Sequence, residues 1–163
     1  MTRLSLDPAS VKSGYALMTA TKLIEFGLLT GGKAKGPIAR VLAMRQDLLH
    51  ILAEHLPEQI IIEMPLTLQF TRHKERKSGM AIWAGAAWAL WMVCYDWANC
   101  QQGVDVIPIS NTVWTSGSTK DGRQQMVAAM FVTYDPAKDK GGDESDAIAM
   151  NLWYGERKLI PND

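Results

Sequence analysis

Three carboxylates stand within four positions near the carboxyl end of the chain. The segment GGDESDAIAMNLW (residues 141–153) contains Asp143, Glu144 and Asp146 and then turns apolar, a pattern typical of a helix start. At about 100° per residue, Asp143 and Asp146 lie roughly 60° apart on one helix face, whereas Glu144 points well away from Asp146. That face continues as an apolar stripe, so we expect it to pack on a sheet and to aim both aspartates at the end of the sheet.

Two further acids end apolar strands. Asp7 ends RLSLD and Glu63 stands near the end of QIIIEM, and each strand is followed by a proline. Neighbouring strands lie about 4.8 Å apart, so the ends of two adjacent, parallel strands would bring Asp7 and Glu63 together. Clustered carboxylates raise one another's proton affinity unless a cation neutralises them.

Four carboxylates without Cys or His are the ligand set that Mg²⁺ or Mn²⁺ prefers. Two such ions about 3.5–4 Å apart can hold the attacking and leaving oxygens of a phosphodiester, so the acids predict metal-dependent phosphoryl transfer. A purely structural alternative stays open for Asp143 and Asp146. Acids at a helix start can accept bonds from free backbone N–H groups and interact favourably with the helix dipole.

The hydrophobic pattern predicts the element order β-β-β-α-β-α-β-α-α in a single α/β domain covering residues 1–163. Helical crossovers make the later strands parallel to the first. The expected elements are an antiparallel meander (RLSLD, GYALMTA, KLIEFGLL), a helix over residues 38–55, a buried strand (QIIIEM), a Trp-rich helix from residue 78 to about 101 and a short buried strand (VDVIPI). After them we expect a turn of helix, a Gly/Ser/Thr loop, and two helices separated by the linker DPAKDKGG.

Composition narrows the classes of function. Seventeen basic and seventeen acidic side chains give no net charge, so a nucleic-acid partner must be held by a local patch. Cys94 and Cys100 form no C-x-x-C pair, which argues against zinc and disulfides and favours a cytoplasmic setting. Residues 78–95 are apolar but fewer than the roughly 20 that a membrane span needs, so we expect a buried helix and no membrane partner.

The segment DPASVKSGYAL (residues 7–17) closely resembles the first-strand motif of RuvC-type Holliday-junction resolvases, which belong to the RNase H-like nucleases. IIIEMP, SGSTKDGRQQMV and DESDAIAM follow in the order that this family has. The resemblance implies an RNase H-like mixed five-stranded sheet flanked by helices. It also implies a homodimer that nicks four-way or branched DNA symmetrically, with water as nucleophile and with 5′-phosphate and 3′-hydroxyl ends. The sequence does not reveal whether a branch-migration helicase is a partner.

Residue by residue, the resemblance makes four acids the metal-binding catalytic carboxylates, and two Mg²⁺ ions, for which Mn²⁺ substitutes, their cofactor. Lys120 resembles a basic catalytic residue near the scissile phosphate. Ala9 departs from the pattern, because the family usually has Gly there, and the turn after the first strand is expected to differ. The four acids are Asp7, Glu63, Asp143 and Asp146.

A basic segment, FTRHKERKSG, follows the Glu63 strand and suits phosphate contacts with one stacking ring. The alternative is an ordinary solvated loop. Phe70 is the candidate that wedges the junction, and Leu66 or Leu68 is its rival. The predicted DNA-binding residues are Phe70, Arg72, Lys74, Arg76, Lys77, Lys120 and Arg123.

The tryptophans of the Trp-rich helix cannot all face one side. Either they fill the core, or one face meets a second subunit in an isologous dimer. Other functions stay open: an RNase H-like nuclease for RNA–DNA hybrids, branched DNA or RNA precursors, or a non-catalytic junction-binding protein. An ATP-binding domain related to actin and sugar kinases is disfavoured, since the chain is short and lacks Gly-rich phosphate loops.

Overall fold

The computed structural model describes residues 1–20, 22–65, 77–115 and 117–159. Within these ranges the elements follow the predicted order, including the predicted turn of helix after the last strand. They are β1 (Arg3–Asp7), β2 (Ser13–Met18), β3 (Leu23–Leu29), α1 (Pro37–His55), β4 (Gln59–Met64), α2 (Lys77–Asn99), β5 (Asp105–Ser110), α3 (Asn111–Trp114), α4 (Lys120–Met130) and α5 (Asp143–Leu159).

The five strands form one sheet in the order β3-β2-β1-β4-β5, which confirms the mixed five-stranded sheet that the resemblance implies. The β1–β2 and β2–β3 pairs are antiparallel, and β1–β4 and β4–β5 are parallel. Leu6 pairs with Ile62 across β1 and β4, so Asp7 and Glu63 come next on the two strands, at the same end of the sheet.

Alternate residues of the central strands fill two cores, one on each face of the sheet, as a strand period of two requires. One core joins the sheet to α1 and α2, and it includes Leu4, Leu6 and Ile62. The other joins the sheet to α3, α4 and α5, and it includes Ile61 and Met150. The catalytic candidates lie where the second core meets the end of the sheet.

A buried polar network ties α5 to the sheet. The Ser5 hydroxyl donates to the carbonyl of Ala147 at 2.7 Å, and Asn151 Nδ2 donates to the Arg3 carbonyl at 3.1 Å. Arg3 Nε in turn donates to Asn151 Oδ1 at 3.1 Å. Because these groups are buried, sliding or rotating α5 would leave polar atoms unpaired, so the network fixes the position of the helix that carries Asp143 and Asp146.

One sequence-based expectation about burial is wrong. The strand VDVIPI was expected to be buried, but β5 is the edge strand, and of its residues only Ile109 is buried. The Trp-rich helix buries one face and exposes the other: Leu90 and Cys94 are buried, whereas Trp88 and Tyr95 are exposed. Among the described residues no helix is long and apolar enough to cross a membrane.

Candidate active site

Four carboxylates meet at the carboxyl end of β1 and β4. The strands deliver Asp7 and Glu63, and the first turn of α5 delivers Asp143 and Asp146. Burial raises the pKa of the Asp7 carboxyl well above its usual range, and the nearby charges of the other three acids raise it further. The fold therefore brings together the four acids that the sequence singles out. Their role as metal ligands stays a prediction.

Two donors from the segment after β5 hold Glu63. Trp114 Nε1 donates to Glu63 Oε2 at 2.8 Å, and Asn111 Nδ2 donates to the same oxygen at 3.0 Å. Burial raises the pKa of Glu63, while these two hydrogen bonds favour the carboxylate and limit the rise. Helix α3 thus fixes which way the Glu63 carboxylate faces.

Three cationic side chains surround the α5 pair. Arg123 makes a two-point ion pair with Asp146, from Nε to Oδ1 at 2.7 Å and from Nη2 to Oδ2 at 3.2 Å. Lys12 Nζ lies 3.0 Å from Asp143 Oδ2. Lys120 Nζ lies 3.6 Å from a carboxylate oxygen of each aspartate. Helix α4 sets up two of these contacts, because Lys120 and Arg123 stand one turn apart on it.

A fifth acid caps α5. Asp139 is fully buried and accepts hydrogen bonds from the backbone N–H groups of Glu144 and Ser145, at 3.4 and 2.9 Å, and from the Tyr134 hydroxyl at 2.9 Å. Burial acts to raise the pKa of Asp139, but these bonds to the carboxylate prevail and lower it. Since Asp139 serves the free N–H groups of the first turn, capping does not account for Asp143 and Asp146.

Two glycines allow α5 to come close to its neighbours. A Cβ on Gly14, which pairs with Asp7 in the sheet, would lie 1.8 Å from the carbonyl oxygen of Asp143. Gly142 has a φ of +69°, a left-handed conformation that favours glycine, and a Cβ there would lie 2.3 Å from Lys120 Cε. The approach of α5 to β2 and of Lys120 to the aspartates depends on these missing side chains.

The turn after Asp7 is held without the glycine usual in the family. The backbone N–H of Ala9 donates to Ser13 Oγ at 3.0 Å, and Trp83 Nε1 of α2 donates to the Pro8 carbonyl at 2.8 Å. The φ angle of Ala9 is not positive, so a residue with a Cβ fits this turn without backbone strain. Trp83 thus serves the site by fixing the chain directly after Asp7.

The donor set suits a hard divalent cation, since it offers carboxylate oxygens only. The Asp7 carboxylate accepts no hydrogen bond from the described residues, and repulsion from its neighbours would be relieved by a cation. Within the same ranges, however, no three Asp, Glu, His or Cys side chains already stand ready to hold one ion. Basic side chains contact the oxygens of Asp143 and Asp146, so these acids fit a metal in chemistry but need those side chains to shift.

Most of the predicted DNA-binding residues lie outside the described ranges. Phe70, Arg72, Lys74 and Arg76 fall between residues 65 and 77, as do Leu66 and Leu68, and Lys77 is described only as the first residue of α2. The remaining two, Lys120 and Arg123, lie at the site and contact the α5 aspartates. The prediction of a DNA-contacting basic segment therefore stays a prediction.

Sequence reasoning missed Asn111, Trp114 and Asp139. Asn111 and Trp114 follow the predicted parallel strand VDVIPI, so they were bound to lie at the same end of the sheet as Glu63. Their position after that strand was the signal that could have identified them. Asp139 stands in DPAKDKGG, whose composition is that of a linker. Its position four residues before the acidic helix was the only hint of a cap.

The strand order, with helices on both faces, defines an RNase H-like fold. More particularly, the structure is similar to Thermus thermophilus RuvC in complex with a Holliday junction substrate, with a TM-score of 0.67 and 17% identity over 98% of this chain and 96% of that one. A second T. thermophilus RuvC structure gives a TM-score of 0.64 and 15% identity over the same shares.

The yeast mitochondrial Holliday junction resolvase Ydc2 gives a TM-score of 0.59 and 14% identity, over 96% of this chain and 81% of that one. No protein-family model and no curated protein sequence matches the chain. At this identity the likeness defines the fold. The resemblance to RuvC-type proteins that the motifs carry is confirmed at that level.

Proposed function

We propose that this chain is a metal-dependent endonuclease that resolves four-way DNA junctions by paired symmetric nicks in DNA recombination and repair. The observation that carries the proposal is the group of four carboxylates at one end of a RuvC-like sheet. Junction DNA is the favoured substrate because one protein of the same fold was solved with a Holliday junction substrate.

In this proposal Asp7, Glu63, Asp143 and Asp146 hold two Mg²⁺ ions, with Mn²⁺ as a substitute. When bound, the ions supply positive charge to both the attacking and the leaving oxygen of an in-line displacement by water. The resulting ends are a 5′-phosphate and a 3′-hydroxyl.

The chain's own residues position these groups. Trp114 and Asn111 hold the Glu63 carboxylate by one oxygen, which leaves its other oxygen free of described donors. The Lys120 side chain is 46% exposed and reaches the carboxylates of Asp143 and Asp146, so it can turn to a phosphate oxygen and stabilise the charge that develops there.

A homodimer fits a substrate that must be cut on two strands. Helices α1 and α2 pack on each other and form a surface with several exposed apolar side chains, and exposed apolar patches mark interfaces. Its exposed members are Ile38, Leu42, Ile82, Trp88, Met92 and Tyr95. A second copy meeting this surface about a twofold axis would present two sites to the two strands.

Sedimentation at micromolar concentration tests the dimer. The wild type should sediment as a dimer and Trp88→Asp as a monomer. Val132→Asp is the matched control, because Val132 is 92% exposed and lies outside the proposed interface. A wild-type monomer would contradict the dimer.

Cleavage of labelled DNA tests the activity. A four-way junction and a matched linear duplex are incubated with Mg²⁺, Mn²⁺ or EDTA, and we expect cutting of the junction alone and only with metal. Equal cutting of both DNAs would remove junction selectivity. Preferred cutting of an RNA–DNA hybrid would point to another substrate, and junction binding without cutting in any metal would point to a non-catalytic binding protein.

A further inference from the structure

Arg123 occupies the side of the site where a cation is expected. Its guanidinium engages both oxygens of Asp146 in a fork, and the side chains of the pair are only 11% and 9% exposed. The same guanidinium stacks over the Trp114 ring at 5.0 Å. Since Trp114 also donates to Glu63, Arg123 connects Asp146 with Glu63 through the Trp114 ring.

A divalent ion at Asp146 would compete with this ion pair. Mg²⁺ binds carboxylate oxygens at about 2.0–2.1 Å, so it would sit against the same oxygens that Arg123 uses. Two cations at that separation repel each other strongly where water is scarce. The guanidinium must therefore move away before Asp146 can offer both of its carboxylate oxygens to a divalent ion.

The other contacts of Arg123 allow such a movement. Its Nη1 donates to the carbonyl and the hydroxyl of Ser118, both at 3.2 Å, and Ser118 lies on the exposed stretch that precedes α4. Arginine binds phosphate in the same two-point fashion as carboxylate. A DNA phosphate that binds beside Lys120 would offer Arg123 an equivalent partner, which Arg123 would reach by a change of side-chain rotamer.

We propose that Arg123 is a positioning residue that serves as the internal counter-ion of Asp146 and competes with the divalent cation until a DNA phosphate draws it away. Metal binding and DNA binding are then coupled, and by linkage each strengthens the other by the same factor. This inference rests on the proposed function, because it takes Asp146 as a metal ligand. Competition from Arg123 would make metal binding weak before DNA binds.

The first test measures Mn²⁺ binding without DNA, from the loss of the electron paramagnetic resonance signal of free Mn²⁺. Arg123→Gln should bind Mn²⁺ at least about tenfold more tightly than the wild type, since it keeps polarity but loses the competing charge. Lys120→Gln should give a smaller gain, because Lys120 makes single contacts at 3.6 Å. Lys138→Gln, which removes an exposed ion pair with Asp135, should change nothing.

Thermal unfolding gives a second readout, independent of activity. In EDTA, Arg123→Gln should melt below the wild type, and saturating Mn²⁺ should raise its melting temperature by more than it raises that of the wild type. An Arg123→Gln chain that binds Mn²⁺ no more tightly than the wild type would overturn the inference and leave the proposed function standing. If neither chain binds Mn²⁺, both fall.

Fluorescence anisotropy with a labelled junction tests the coupling. Ca²⁺ replaces Mn²⁺, and a gel verifies that the strands stay intact. The ratio of junction affinities in Ca²⁺ and in EDTA should be larger for the wild type than for Arg123→Gln. Equal ratios would refute the coupling to DNA.

Discussion

Replacing Trp114 by Phe isolates one hydrogen bond of the site. The change keeps an aromatic ring under Arg123 but removes the N–H that donates to Glu63 Oε2 at 2.8 Å. A hydrogen bond to a charged group contributes about 1.5–3 kcal/mol, and loss of a group that orients a metal ligand lowers activity about 10–100-fold. We therefore expect junction cleavage by Trp114→Phe to fall by one to two orders of magnitude, with junction binding preserved.

The pH profile separates this role from a general loss of packing. The bonds from Trp114 and Asn111 act to lower the pKa of Glu63 against the effect of burial. Removing one of these bonds should raise the pKa of Glu63 and move the acidic limb of the pH–rate profile for cleavage to higher pH. Asn111→Ala should shift the limb in the same direction.

Trp91→Phe is the matched control. It also removes a buried indole N–H, but this one has no hydrogen-bond partner among the described residues. Its cleavage rate and pH profile should be those of the wild type. If Trp114→Phe cleaves like the wild type, or loses rate with an unmoved acidic limb, the reasoning about Glu63 is wrong.

Five further substitutions probe the site. Asp146→Asn should abolish cleavage while Glu144→Ala leaves it largely intact, as measured on the labelled junction; equal losses would show that the two acids are not distinct. Gly14→Ala would place a Cβ 1.8 Å from the Asp143 carbonyl oxygen, so it should lower the free energy of unfolding in urea by about 1–3 kcal/mol and reduce cleavage. An unfolding curve like that of the wild type would contradict the close approach of α5 to Gly14. Asp139→Ala should cost about 1–3 kcal/mol through the lost cap, read from the same unfolding curves. In EDTA, the stability of the wild type should fall as pH rises from the ordinary pKa of an aspartate, 3.8, through the raised pKa of Asp7. The reason is that the folded chain keeps a proton on Asp7 that the unfolded chain has released. Asp7→Asn should flatten this pH dependence, as measured by thermal unfolding at a series of pH values.

Local pattern was enough to predict the elements and where the acids fall on them. Asp7 and Glu63 end apolar strands, and the crossover through α1 makes those strands parallel, so their meeting follows from topology. The face shared by Asp143 and Asp146 follows from helix geometry. Each of these inferences needs only short-range sequence and general rules of chain connection.

Burial and partners could not be predicted in the same way. The strand VDVIPI is apolar, yet β5 is at the edge, because strand order depends on which neighbours the whole chain supplies. The bond from Trp114 to Glu63 joins residues 51 positions apart, and the bond from Asn151 to Arg3 joins residues 148 apart. Such contacts depend on the assembled layers, and no periodicity of the sequence encodes them.

The charge balance of the site explains why a chain with no net charge can hold four acids together. Three cationic side chains contact Asp143 and Asp146, yet none of them contacts Asp7. Lys120 acts on the Asp7 carboxyl from a distance, and its effect on the pKa is weaker than that of burial and of the three acids, which raise the pKa. The shortage of counter-charge is thus greatest at the strand ends, around Asp7. Stability alone would favour a basic residue there, so the missing counter-charge is the feature that a divalent cation would complete.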